Sequence, residues 1–359
     1  MKYLLCEAHG IGDCILILPI AKAIKMADKN AYIKVFTSSD KNKIQINRSI
    51  MDLQNYVDDI EYYSKTEKWH SLIFLFSNIL KRYDYGIVIQ DYDSESTSSI
   101  PSLIVRLCCV KTCGTMITKN RKIKYDCYVK RKIGIRRDEY FHRAARLLNL
   151  KVERVNDNLL NQNLVRKNLP AISINNKLPV IALVVGTAPV SLRTSEGMLT
   201  NNAKAWSYEN WIKLADMLAS NDCNVLLLGG QKEKKELLSL KLLKKNARIY
   251  ELVGELNIKE SIAILGISSL VVGADTGLMH CAGALGKKSL TLFGCTDPNE
   301  YLPFGKDSQY IDVGMKCSPC FGTIAAVTCK HKRCMESITV EMVFNRIMSM
   351  LDLKNDRIK

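Results

Sequence analysis

Short uninterrupted apolar runs alternate with amphipathic stretches along most of the chain, and that alternation constrains the fold more than any other feature. A short run with no polar alternation belongs to a strand buried on both faces, and such strands occur in parallel sheets covered by helices. Tyr3–Cys6, Tyr32–Thr37, Tyr85–Gln90, Pro179–Gly186, Asn224–Leu228, Leu270–Val272 and Ser289–Phe293 read as strands. Between them the segment ILILPIAKAIKMA, Leu72–Arg82, Glu139–Leu148, Tyr208–Ala219, Lys232–Lys244, Ile258–Leu265 and Leu278–Leu285 carry helical spacing. Strand alternating with helix defines an α/β, doubly wound chain. At about 100–200 residues per domain, 359 residues make two such domains. The polar stretch Asn168–Lys177 is the expected linker, which gives domains of residues 1–170 and 171–359. Ligand is expected between them, at the carboxyl ends of the strands.

Two strand-to-helix handovers carry the chemistry-bearing residues. In Gly273-Ala274-Asp275-Thr276-Gly277-Leu278-Met279-His280 an apolar strand passes into a helix through small and polar residues. The unpaired N–H groups and positive dipole end of such a helix stabilise a phosphate. Asp275 or Thr276 can cap the helix, and an ordinary capped turn explains the octapeptide equally well at this point. His280 sits one turn into the helix, where a structural histidine is the commoner occurrence. The second handover is His9-Gly10-Ile11-Gly12-Asp13. Ile15 stands where a dinucleotide fingerprint needs its last glycine. Asp13, at a helix start facing the expected cleft, is a candidate general base or a helix cap. Lys204 precedes the helix Tyr208–Ala219 and Thr187 follows the preceding strand, both placed to approach a phosphate. Asp91-Tyr92-Asp93 matches a metal-holding DxD over three residues only and is discounted.

Cys317 and Cys320, then Cys329 and Cys334, place four thiols within 18 residues at a spacing that suits a structural Zn or Fe. The remaining nine of the thirteen cysteines are scattered as small apolar residues are. With Glu7 and Asp13 interrupting any leader-like apolar core, this usage points to a reduced, cytoplasmic protein. No apolar run approaches the roughly 20 residues needed to cross a bilayer. The net charge of +16 implies an anionic partner: nucleic acid, a phosphorylated glycolipid or a membrane surface. Lys119–Arg154 alone holds thirteen Lys/Arg against four Asp/Glu, so this stretch is the expected contact with an inner-membrane surface. A basic nucleic-acid-binding α/β protein fits the charge but lacks interleaved aromatic and basic residues or any RNP-like motif, so no nucleic acid is expected.

GIGDCILILPIAKAIK, KAWSYENWIKLADML and VVGADTGLMHCAGALGKKSLTLFGCTDPNEYLPFG together resemble the ADP-heptose lipopolysaccharide heptosyltransferase family, glycosyltransferase family 9, from Met1 to about Leu351. The resemblance implies a GT-B architecture of two Rossmann-like domains facing a central cleft, the acceptor held by the first and the donor by the second. It implies inverting transfer from a nucleotide-diphosphate sugar without a catalytic metal. Residue by residue it assigns Asp13 as general base, and Thr187, Lys204, Asp275, Thr276, Gly277 and His280 to the donor. His9, Gly10 and Gly12 fall on the acceptor side. Glu7 departs from the family's usual Lys or Arg, and a Ser/Thr/Asn-rich insert separates Ala188 from Lys204, a candidate lid. In protein-modifying relatives a similar cysteine cluster holds iron, so the acceptor is an anionic glycolipid or, alternatively, a protein.

Overall fold

In the computed structural model the continuous apolar runs become the central strands of two sheets. The structure describes residues 1–6, 10–38, 41–63, 67–89, 99–116 and 125–351, apart from 131, 133, 154, 156, 157, 176, 196 and 242–245. His9, Glu7, the Asp91–Asp93 motif and 119–124 of the basic stretch lie outside the described residues. The chain divides into two units, Met1–Asn161 and Gln162–Lys359.

The first unit runs β1 (Lys2–Cys6), α1 (Ile11–Leu16), α2 (Leu18–Ala27), β2 (Tyr32–Ser38), α3 (Lys41–Met51), β3 (Asp59–Tyr63), α4 (Lys68–Lys81), β4 (Tyr83–Val88), α5 (Ser99–Cys108), β5 (Cys109–Met116), β6 (Cys127–Lys130) and α6 (Arg137–Leu147). Its six strands are parallel in the order β3-β2-β1-β4-β5-β6. Leu4, Phe36, Phe74 and Tyr83 fill one face of the sheet's core. The single helix expected after β1 is two, because the chain breaks at Ile17 and Pro19 falls in the first turn of α2, where its missing N–H costs nothing.

The second unit continues with α7 (Gln162–Arg166), β7 (Val180–Val184), β8 (Val190–Thr194), β9 (Gly197–Asn201), α8 (Tyr208–Ser220), β10 (Asn224–Leu228), α9 (Gln231–Ser239), β11 (Ile249–Glu251), α10 (Ile258–Ile267), β12 (Leu270–Ala274), α11 (Gly277–Ala284), β13 (Ser289–Leu292), α12 (Pro298–Tyr301), β14 (Ser308–Ile311), α13 (Ile324–Thr328), α14 (Arg333–Glu336) and α15 (Val340–Met350). The parallel order β11-β10-β7-β12-β13-β14 repeats the topology of the first sheet. Trp211, Leu214, Val225, Leu270, Val343 and Ile347 join in its core. The division falls after Asn161 rather than at 170, because α7 buries Val165 and packs on α10 of the second unit.

This is the doubly wound order in which the chain reverses direction across the sheet beside the first strand. Ligands bind outside the carboxyl ends of the strands at that switch point. In the first unit it lies between β1 and β4, in the second between β7 and β12. The glycine turns picked out in the sequence follow β1 and β12. Each therefore stands at the switch point of its own unit.

Candidate donor and acceptor sites

β12 ends at Ala274, and the next two residues turn the chain into α11. Gly273 is required by packing: a Cβ there would stand 2.7 Å from the Met279 sulfur and 3.1 Å from Val184. Without a side chain, α11 can lie close on the sheet. Thr276 is the N-cap residue with extended backbone, and its side chain makes no capping hydrogen bond. The first N–H groups of α11 are thus available to an anion.

Asp275 is 5% exposed and faces two basic groups. Its Oδ2 lies 3.3 Å from Lys204 Nζ and its Oδ1 3.9 Å from His280 Nε2. The Lys204 ammonium also sits 5.7 Å from the centre of the Phe321 ring, a cation–π distance. A buried carboxylate repels phosphate, so the geometry makes Asp275 an anchor for Lys204, with His280 close by. Thr187 follows β7, whose Val184 pairs with Gly273, so it lies at the same end of the sheet. Its hydroxyl donates to its neighbour's carbonyl, Ala188 O, at 3.1 Å.

Three further residues at this end of the sheet are not singled out by the sequence, although Thr296 lies within its TDP motif. Phe321 lies far along the chain from the lysine it covers. Glu233, at the start of α9, would crowd a Cβ on Gly186 at 2.9 Å and accepts the Gly230 N–H at 2.8 Å. It stands in the first turn of α9, the helix that follows β10. Thr296, just beyond β13, has a buried hydroxyl with no hydrogen-bond partner among the described residues.

The insert before Lys204 is an antiparallel hairpin, β8 paired with β9. It packs on the cysteine-rich segment through Val190, Ala203, Cys295, Ala326 and Val327. Asn201 Nδ2 ties it further, donating to Ala326 O at 3.1 Å and Cys329 O at 2.8 Å. Hairpin and cysteine segment therefore form one support beside Lys204.

Cys317 is exposed, Cys320 and Cys329 are half-buried and Cys334 is buried. Burial raises the Cys320 and Cys334 thiols, and each is raised further by the charges of Cys317 and Cys329. Burial pushes Cys295 up to about 12, with Cys320 adding and Lys204 opposing. The four thiols share one neighbourhood, yet among the described residues no three His, Cys, Asp or Glu side chains are drawn up as a group able to hold a metal ion. All thirteen cysteines carry free thiols.

In the first unit Gly10 is the N-cap of α1, with extended backbone. Its N–H donates to Asp13 Oδ2 at 2.8 Å. Asp13 thus caps its own helix and is held in one orientation, half-buried, in the first turn of α1. Gly12 lies within α1.

Two Rossmann-like units, the second with an open helix N-terminus and a positioned lysine at its switch point, make the chain a GT-B protein. The model of glycosyltransferase family 9 (heptosyltransferase) matches residues 190–331. Lipopolysaccharide heptosyltransferase 1 of Escherichia coli K12 is 29% identical over 110 residues, 31% of this chain and 34% of that protein. The match thus spans about a third of that relative's length. The solved structure of E. coli heptosyltransferase WaaC with ADP superposes with a TM-score of 0.71 at 18% identity, covering 98% of this chain and 100% of that one. The dodecameric iron-containing heptosyltransferase TibC, from enterotoxigenic E. coli and solved with ADP-D-beta-D-heptose, gives a TM-score of 0.52 at 13% identity over 98% of this chain and 76% of that one.

Proposed function

We propose that this chain transfers a heptose, or a related sugar, from a nucleotide-diphosphate donor to a hydroxyl of a lipopolysaccharide core or similar glycolipid, with inversion at the anomeric carbon. ADP-heptose is the donor we favour, since the matched relatives include heptosyltransferases solved with ADP and with ADP-heptose. The observation that carries this reading is the Lys204–Asp275–His280 constellation at the open N-terminus of α11.

In this reading the second unit holds the donor. Lys204 and the first N–H groups of α11 stabilise the charge that builds on the diphosphate as the glycosidic bond breaks. Thr187 adds a hydroxyl toward the phosphates. The first unit supplies Asp13, with Gly10 and Gly12 allowing the acceptor close to the backbone; His9, next in sequence, is the further acceptor-side candidate. Asp13 takes the proton from the acceptor hydroxyl as that oxygen attacks. The chemistry asks for no metal. A structural Zn or Fe on Cys317, Cys320, Cys329 and Cys334 is a separate proposal, supported by four neighbouring thiols and by an iron-containing heptosyltransferase of the same fold. A protein hydroxyl is the second candidate acceptor. We place the enzyme at the cytoplasmic face of the inner membrane, where its basic surface meets anionic lipid.

The test is incubation with ADP-heptose and a heptose-free core acceptor, following ADP release and product mass. ADP release with a heptose-sized mass increase on the glycolipid is expected. Calorimetry showing no ADP binding, with no product, would overturn the reading. A mass increase on a protein fraction instead would move the acceptor to the second candidate.

A further inference from the structure

Helix α4 turns its apolar side the wrong way for a core helix. Phe74 and Asn78 are fully buried, and they fix the helix about its axis. Phe74 lies 5.8 Å from the Phe36 ring, and Asn78 accepts the Tyr83 hydroxyl at 2.7 Å while donating to Phe74 O at 2.6 Å. With that face locked inward, Trp69, Leu72, Ile73, Phe76 and Leu80 form a stripe on the outside at helical spacing. Trp69 is 80% and Leu80 86% exposed. The neighbouring helix α5 packs beside α4 and extends the face with exposed Leu103 and Leu107. A contiguous patch of this composition marks an interaction site.

The charges around it select the occupant. Between Lys68 and Arg82, and between Ser99 and Lys111, the sequence holds Lys68, Lys81, Arg82, Arg106 and Lys111 and no Asp or Glu. Of the nearest acids, Glu67 accepts the Tyr62 hydroxyl at 2.8 Å, Asp84 accepts the Lys2 N–H at 2.7 Å, and Asp126 pairs with Arg106 at 3.3 Å, so the cationic excess rests on Lys68, Lys81, Arg82 and Lys111 rather than on Arg106. A second copy of this chain would oppose the same cations to one another across an isologous contact. An anionic lipid leaflet complements them. Trp and Phe beside Leu and Ile, with Lys and Arg at the helix ends, is the composition of a helix lying in the membrane interface.

We propose that the outward face of α4, continued by α5, docks the protein on a leaflet bearing anionic headgroups, the α4 apolar stripe entering the headgroup–acyl boundary. This deepens the proposed function, whose acceptor is lipid-borne, but the two stand or fall by different measurements.

The chain carries its own probe. Trp206 and Trp211 are buried, so of three tryptophans only Trp69 is exposed. The full chain, mixed with vesicles of phosphatidylcholine and phosphatidylglycerol, is expected to show a blue-shifted emission quenched by brominated lipid and to sediment with the vesicles. Pure phosphatidylcholine should give a far smaller effect. Trp69→Phe should abolish the shift while sedimentation persists. Ile73→Gln with Phe76→Gln and Leu80→Gln should weaken partitioning at least tenfold without lowering the melting temperature, since these side chains support nothing inside. An unmoved emission, or partitioning retained by the triple variant, would overturn the proposal. Light scattering showing a dimer in which Trp69 is shielded without lipid would overturn it in favour of self-association. Vesicle binding with no transfer from ADP-heptose would leave the docking face standing and remove the proposed reaction.

Discussion

Asp13 illustrates how one carboxylate can serve both structure and chemistry. Its Oδ2 accepts the Gly10 N–H at the start of α1, which fixes the side chain without using its charge. Asparagine keeps an oxygen for that bond but cannot take a proton. Asp13→Asn should therefore preserve the fold and ADP affinity while lowering turnover about 10²–10⁴-fold. Initial rates beside calorimetry on the same preparation check this, and near-parental turnover would remove Asp13 from the mechanism. The Lys204–Asp275 pair invites a different experiment. The side chains are 14% and 7% exposed, so deleting the lysine strands a buried carboxylate. Lys204→Ala should weaken ADP binding and also lower the melting temperature, at a cost of up to about 3 kcal/mol. Adding Asp275→Asn should recover most of that stability and none of the affinity. Recovery of both would mean that Lys204 serves only to neutralise Asp275.

At the scale of elements, the second unit depends on close approach between helix and neighbouring chain. A Cβ on Gly283 of α11 would stand 2.4 Å from Phe304 O and 2.7 Å from Phe304 N, backbone atoms that cannot step aside. Gly283→Ala should destabilise the protein by about 1–3 kcal/mol in a denaturant titration. It should also weaken ADP binding, because a shifted α11 moves its N-terminal N–H groups. The cysteine segment gives the other prediction at this scale. With a structural metal on its four thiols, elemental analysis should find about one Zn or Fe per chain. Cys329→Ser should then loosen the β8–β9 hairpin, since Asn201 bonds Cys329 O, and raise the apparent Kd for ADP through Phe321 and Lys204. Metal-free protein with parental melting behaviour would leave four reduced thiols. Strands β7, β10, β12 and β13 were legible in the sequence because each is a continuous apolar run, and so were the glycine turns at both switch points. The edge strand β3, Asp59–Tyr63, carries charge and alternates, so only its pairing with β2 defines it. The β8–β9 hairpin read as a polar insert for the same reason: most of β9 faces solvent and its register comes from tertiary contacts. Phe321 over Lys204 joins segments far apart in sequence, and no local period reports such a contact.

For the whole molecule the excess of +16 acts as a field rather than as a set of bonds. The structure reduces what the sequence assigned to Lys119–Arg154. Arg136 pairs with fully buried Asp138, and Arg143 and Arg146 both reach Glu139. These arginines hold α6 in place, and reversing Arg136 would leave Asp138 buried against a like charge. Lys130 and Lys132 are exposed and free of that duty, so they are the residues through which the field can be tested. Long-range attraction raises the rate of encounter with an anionic surface, and salt screens it over about 8 Å at physiological ionic strength. Apolar insertion acts after contact and governs departure. Stopped-flow mixing with anionic vesicles, followed by Trp69 emission, should therefore separate the two. Lys130→Glu with Lys132→Glu should slow association several-fold at low salt, with the difference closing as salt rises and dissociation unchanged. The glutamine triple variant of α4 should speed dissociation at every salt concentration and leave association near the parental rate. If the charge reversals altered dissociation alone, Lys130 and Lys132 would be touching the bilayer themselves, and the docking face would have to extend beyond α4 and α5 to β6.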